Sequence, residues 1–135
     1  MDYNFMKASN IAYLGTEFPS YSLEEKVSPV NHVDSDTPPF FIWATATDPL
    51  VSPIHSLKMA KALAENKIPY EIHLFGEGGH GLSLASQATA QSKTQIEPIV
   101  SVWTELCSKW LEKNLPISLP KADKYESEIR KGEIE

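Results

Sequence analysis

Asp48, in the stretch "ATATDPLV", and His80, in "FGEGGHGLS", are residue types that move protons, and each stands just after a strand-like run. A carboxylate held against one ring nitrogen of a histidine fixes its tautomer. It also stabilises the imidazolium that forms when the other nitrogen takes a proton from a nucleophile. Glycines at 78, 79 and 81 let the imidazole project from a tight turn without steric conflict. Taken singly, each residue has a plainer reading: Asp48-Pro49 is a common turn, and a histidine among glycines can be a solvated turn residue. The conjunction of an acid and then a histidine, at the ends of successive strands, favours the paired catalytic reading.

Three elements must position the pair. "PFFIWAT" (Pro39 to Thr45) is a continuous apolar run bounded by prolines and by Asp48-Pro49, which predicts a strand buried on both faces. Ser52 and Pro53 read as an N-cap followed by proline at the first helical position. Ile54, Leu57, Ala60 or Lys61, and Ala64 then recur at helical spacing, predicting an amphipathic helix that ends near Asn66. "YEIHLF" (Tyr70 to Phe75) alternates, with Tyr70, Ile72 and Leu74 on one face and Glu71, His73 and Phe75 on the other, so it predicts a second strand. Two strands joined by a helical crossover are most simply parallel and right-handed. Their carboxyl ends share one edge, where open α/β sheets bind ligands. A separation of 32 positions thereby collapses to hydrogen-bond distance.

Around this unit the signals are uneven. Residues 1 to 38 read as irregular, with one short helical turn around Ser22 to Lys26 and a rigid extended approach at "SDTPP". Ile96, Ile99, Val100, Trp103, Leu106, Cys107, Trp110 and Leu111 form a single apolar stripe, predicting one helix opened by a Thr94/Glu97 capping box, with Pro98 tolerated in its first turn. Beyond Leu115 the chain turns to mixed charge with little to bury, which reads as a solvated extension, with a partner-docking arm as the alternative.

Composition narrows the function classes. The chain has 135 residues, 41% of them apolar and 22% charged, which suits a soluble globular domain. No apolar run approaches the roughly 20 residues of a membrane helix, and no basic segment with a long apolar stretch opens the chain, so no membrane association and a cytoplasmic location are expected. Cys107 is the sole cysteine, which excludes an intrachain disulfide and a thiolate-cluster metal site. A net charge of −6 without a basic cluster argues against nucleic acid as a partner. His55 and His73 match no recurrent zinc spacing and are expected to be structural or solvated. His32 reads as a loop residue, within reach of substrate if that loop lies near the same sheet edge. No cofactor and no metal are expected.

The stretch "SPVNHVDSDTPPFFIWATATDPLVSPIHSLKMAKALAENKIPYEIHLFGEGGHGLSLA" resembles the C-terminal half of α/β-hydrolase-fold serine esterases. The group is that of acetyl esterases, acetylxylan esterases and feruloyl-esterase-like enzymes, related to prolyl-oligopeptidase-type hydrolases, and the resemblance spans roughly residues 10 to 113. Its most specific elements are "TPPFFIWATATDPLV" and "HLFGEGGHGLS", which the resemblance marks as carrying the triad acid at Asp48 and the triad histidine at His80. Members of the group often have Asp where Thr47 stands, giving a "DD" pair. Their order is nucleophile, acid, histidine, with the serine in a G-x-S-x-G elbow. This sequence contains no G-x-S-x-G. Ser83 and Ser86 follow the histidine and lack an elbow, so neither is expected to substitute.

The resemblance implies a partial α/β-hydrolase fold over residues 1–115, three-layered αβα with parallel strands and the N-terminal half missing, followed by a charged tail over 116–135. It implies the C-terminal part of a serine hydrolase acting on small acyl esters such as acetyl groups on sugars, inactive by itself. The alternatives are a fragment of a prolyl-oligopeptidase-type peptidase and a non-catalytic remnant or interaction module. Two strands and two helices are part of a doubly wound sheet, so exposed apolar area is expected, covered by the missing N-terminal half, by a second copy in a two-fold dimer or by a rearranged fold.

Overall fold

Phe40–Thr45 and Tyr70–Phe75, both rich in aromatic and branched residues, form strands β1 and β2 in the computed structural model, which describes residues 3–115. The strands are parallel, in register from Phe40 opposite Tyr70 to Thr45 opposite Phe75. The Phe40 amide donates to the Pro69 carbonyl at 3.0 Å and the Ala46 amide to the Phe75 carbonyl at 2.8 Å, so the ladder is bonded at both ends. Amides alternate in direction along a strand. Those of Phe41, Trp43 and Thr45 therefore face away from β2, towards an edge with no strand partner among the described residues.

The elements follow the order α1 (Tyr3–Leu14), α2 (Tyr21–Val27), a 3₁₀ turn (Pro29–His32), β1, α3 (Ile54–Glu65), β2, a second 3₁₀ turn (Lys93–Gln95), α4 (Pro98–Ser101) and α5 (Trp103–Asn114). Helix α5 supplies Trp103 and Trp110, which pack on Trp43 and Phe41 with ring centroids 5.1 and 5.9 Å apart. These aromatics occupy one sheet face. Ile42 and Ala44 alternate to the other, where α3 crosses both strands. The result is a three-layered arrangement, a parallel sheet with helices on both faces. No helix among the described residues is long and apolar enough to cross a membrane.

Several expectations from the sequence are corrected. The segment before β1 is not irregular: α1 precedes α2, and α2 extends the expected turn by one residue at each end. Local chemistry accounts for α2. The Ser20 hydroxyl accepts from the Leu23 amide at 3.3 Å, and the Tyr21 hydroxyl reaches Glu25 one turn on at 2.9 Å. Strand β1 is not buried on both faces. Phe40 to Ala44 are each partly exposed and Thr45 alone is buried, because among the described residues β1 has one neighbouring strand rather than two.

Helix α3 ends where expected but starts one residue later: Pro53 rather than Ser52 stands at the N-cap, and the Ser52 hydroxyl accepts from the Ile54 amide at 3.3 Å. Its buried face is Ala60, Ala62 and Leu63, whereas Ile54, Leu57 and Ala64 lie exposed. The sheet beneath is two strands wide among the described residues, so only the later turns find a surface to cover. The apolar stripe after Ile96 is not one helix either. It begins at Pro98, breaks at Val102, and leaves Ile99 77% exposed. Thr94 forms no capping box; its hydroxyl sits 2.8 Å from that of Ser92. The charged tail expected over 116–135 lies outside the described residues.

The core joins the two halves of this arrangement. Leu82, Ala85 and Val100 are buried together, with Trp43, Phe75 and Trp103 packed against them. The segment that follows His80 is thus anchored to β1, β2 and α5.

Candidate active site

At the carboxyl end of β1 the chain runs Ala46, Thr47, Asp48, Pro49. Pro49 has no amide hydrogen, so the Asp48 carboxylate reaches past it: Oδ1 accepts from the amides of Leu50 at 2.8 Å and Val51 at 2.9 Å. Those two bonds fix the carboxylate on its turn. Its other oxygen, Oδ2, lies 2.9 Å from Nδ1 of His80. Partial burial pushes the Asp48 carboxyl up. The hydrogen bonds from Val51, His80 and Leu50, with the attraction of the imidazole, outweigh it and hold the group below the ordinary carboxylate range. An ionised Asp48 accepts a hydrogen bond from Nδ1–H, which leaves Nε2 as the base of the neutral ring.

His80 arrives from β2 through Gly76-Glu77-Gly78-Gly79. Gly78 has φ 151°, a value few side-chain-bearing residues adopt, and an added Cβ there would stand 2.6 Å from Cγ2 of Thr45. Glycine is required. Thr45 and Thr47 both donate their hydroxyls to the Gly78 carbonyl, at 2.9 and 3.2 Å, and the Gly78 amide donates back to the Thr47 hydroxyl at 2.9 Å. After His80 the chain is held by the Trp103 indole, which donates to the Ser83 carbonyl at 2.9 Å while its ring stacks on Trp43.

A cavity of about 250 Å³ opens beside the pair, with Trp43, Val51, Ser56 and Leu82 among its walls. A larger groove of about 400 Å³, between α2, the first 3₁₀ turn and α3, does not include either member of the pair. The structure thus brings Asp48 and His80 together at the shared strand edge. It does not bring the other histidines to them. His73 bonds Glu71 at 2.7 Å, His32 bonds the Lys26 carbonyl at 2.6 Å, and His55 lines the larger groove. Among the described residues no group of three His, Cys, Asp or Glu side chains is arranged to hold a metal ion. Sequence reasoning missed Thr45 and Thr47 as partners of Gly78. The available signal was one hydroxyl residue closing an otherwise apolar strand and a second two positions on, opposite a glycine loop.

The sequence profile of the prolyl oligopeptidase family matches residues 3–100. Among solved structures, the chain is similar to a sugar hydrolase from Lactococcus lactis, at 38% identity and a TM-score of 0.68, over 73% of this chain and 39% of that one. It is also similar to an acetyl ester-xyloside bifunctional hydrolase from Caldicellulosiruptor lactoaceticus, at 36% identity and a TM-score of 0.60, over 80% of this chain and 39% of that one. A carboxylesterase from Lactobacillus plantarum matches at 28% identity and a TM-score of 0.62, over 76% of this chain and 41% of that one. Endo-1,4-beta-xylanase B of Butyrivibrio fibrisolvens is 40% identical over 70 residues, which is 52% of this chain and 10% of that protein. The chain therefore spans about two fifths of the length of these solved hydrolases and a tenth of the xylanase. With parallel strands, flanking helices and a family match over most of its length, this chain is a member of the prolyl oligopeptidase family of α/β hydrolases.

Proposed function

We propose that the chain carries the acid–base half of a serine hydrolase acting on small acyl esters, with acetylated sugars as the substrate class. The observation that supports this reading most is the 2.9 Å contact between Asp48 Oδ2 and His80 Nδ1 at the carboxyl edge of two parallel strands. The names of the similar proteins, a carboxylesterase and an acetyl ester-xyloside hydrolase among them, supply the substrate class by analogy.

In this reading a serine outside the 135 residues attacks the ester carbonyl. His80 takes the serine proton on Nε2, and Asp48 stabilises the imidazolium. His80 then returns that proton to the departing alcohol as the tetrahedral intermediate collapses to an acyl-enzyme. Water repeats the cycle, giving up a proton to His80 and releasing the acid. The chain alone lacks the nucleophile and is inactive, because removing the serine removes covalent catalysis outright. The family description favours a second reading, cleavage of short proline-containing peptides by the same groups.

The test is a chimera in which residues 3–115 replace the matching segment of the Lactococcus lactis hydrolase, assayed on acetylated xylo-oligosaccharides, p-nitrophenyl acetate and a prolyl peptide. Ester hydrolysis without peptide cleavage supports the first reading. Peptide cleavage without ester hydrolysis overturns it in favour of the second. A folded chimera that cleaves neither assigns the chain to the class of non-catalytic remnants.

A further inference from the structure

We infer that Thr47 is a positioning residue for the Asp48–His80 pair, acting through Gly78. This inference rests on the reading of the pair given above. The pair is formed by two loops, one after β1 and one after β2, that meet 32 residues apart in the chain. Its separation is set by whatever fixes one loop against the other. The two strands end with Thr45 opposite Phe75, and from there each loop must be held by its own contacts.

Thr47 supplies the tie closest to the chemistry. Its hydroxyl accepts from the Gly78 amide at 2.9 Å and donates to the Gly78 carbonyl at 3.2 Å, so one oxygen holds both backbone groups of a single residue. That use matches the capacity of a hydroxyl, one donor and two acceptor sites. Thr47 is the neighbour of Asp48 in sequence, and Gly78 stands two residues before His80. The clamp and the pair are therefore adjacent rungs between the same two loops.

Thr45 backs the clamp from beneath. It is buried, donates to the same carbonyl at 2.9 Å, and presses its methyl group where a Cβ on Gly78 would fall. A carboxylate at position 47 could accept from the Gly78 amide but has no proton to give the carbonyl when ionised. Threonine is thus suited to both bonds in a way that an ionised aspartate is not.

The signature of correct positioning is the His80 tautomer, because an Nδ1–H directed at Asp48 leaves Nε2 unprotonated in the neutral ring. Long-range ¹H–¹⁵N spectra of the 135-residue chain, recorded with the ring neutral, read this directly. The expected result is Nδ1–H as the major tautomer in the wild type, its loss to the minor form in Thr47→Val, and its recovery in Thr47→Ser, which keeps the hydroxyl. A Thr47→Val chain that retains Nδ1–H overturns the inference while leaving the Asp48–His80 pairing intact. A wild type with Nε2–H as the major form overturns the pairing itself.

Hydrogen exchange of the Gly78 amide adds a readout that needs no variant. Slowing of about fivefold relative to its intrinsic rate is what a hydrogen bond of ordinary net strength gives. A Gly78 amide that exchanges at the intrinsic rate, whatever the variants do, also overturns the inference.

Discussion

Replacing Gly78 with alanine tests the steric half of the account. Two effects add. The backbone stands at φ 151°, where a side-chain-bearing residue is strained by about 1–3 kcal/mol. The new Cβ also meets Thr45 Cγ2 at 2.6 Å and Leu82 Cδ1 at 3.0 Å, well inside the roughly 3.5–4.0 Å at which carbons pack favourably. Thr45 is buried with its hydroxyl committed to the Gly78 carbonyl, so it cannot rotate away without breaking that bond. Overpacking of this kind costs about 1–3 kcal/mol. The sum is about 2–6 kcal/mol. At about 4 °C per kcal/mol, where the ranges for smaller and larger domains meet, Tm should fall by at least about 8 °C, read by circular dichroism. The double variant Gly78→Ala/Thr45→Ser removes the clashing methyl and keeps the hydroxyl, so it should recover about 1–2 kcal/mol of the loss. A Gly78→Ala chain within about 2 °C of wild type refutes the reasoning. A double variant with no recovery refutes the steric part of it.

Asp48→Asn should change the shape of the stability–pH curve. The folded-state pKa of Asp48 lies below its unfolded value, so its ionised form stabilises the fold above about pH 4, and that contribution is lost as pH falls through the folded pKa. Urea titrations from pH 7 to pH 2 should therefore show the wild-type advantage over Asp48→Asn narrowing in the acid range, and a gap that stays constant throughout would contradict this. Trp103→Phe removes the donor to the Ser83 carbonyl and should cost about 1 kcal/mol, while Trp103→Leu also loses the stack on Trp43 and should cost about twice that; equal losses in urea would show that the stack contributes nothing. β1 offers an uncharged edge, "FFIWAT", with the amides of Phe41, Trp43 and Thr45 facing away from β2, so the isolated chain should self-associate through an interface of more than about 1,000 Å². Sedimentation at micromolar concentration should give a dimer, and a monomer that binds no hydrophobe-sensing dye would show that the fold closes its own core.

What the sequence disclosed tracks with what is local. The β2 boundaries, the α3 span to within one residue and the parallel crossover follow from alternation, helical spacing and an N-terminal Ser-Pro, all of which are short-range signals. The Asp48–His80 contact was legible because each residue sits a few positions beyond a strand end, so strand order alone brings them to one edge. Long-range determinants left little trace. Periodicity runs unbroken through Val102, while the break between α4 and α5 occurs where Trp103 is drawn to the Ser83 carbonyl, 20 residues back. Helix α1 lacks both an acidic first turn and a basic last turn, and its local marker is the left-handed Gly15 that closes it. The Thr45 and Thr47 bonds to Gly78 span 33 and 31 residues and join two loops, where no repeat pattern exists to read. The exposure of Ile54 and Leu57 depends on how wide a sheet lies beneath α3, which is a property of tertiary structure.

The most direct test of the central claim is the activity of the chimera with the Lactococcus lactis hydrolase when its Asp48–His80 pair is broken. The variants Asp48→Asn and His80→Ala are assayed for kcat on p-nitrophenyl acetate, with Ser83→Ala as the control outside the proposed pair. If Asp48 holds His80 as the base for a serine nucleophile, Asp48→Asn should lower kcat by about 10⁴-fold, with His80→Ala at least as severe. Ser83→Ala should retain wild-type turnover. A folded Asp48→Asn chimera that turns over within about tenfold of its parent, a barrier change of only about 1.4 kcal/mol, would contradict the claim that this pair performs the proton transfer.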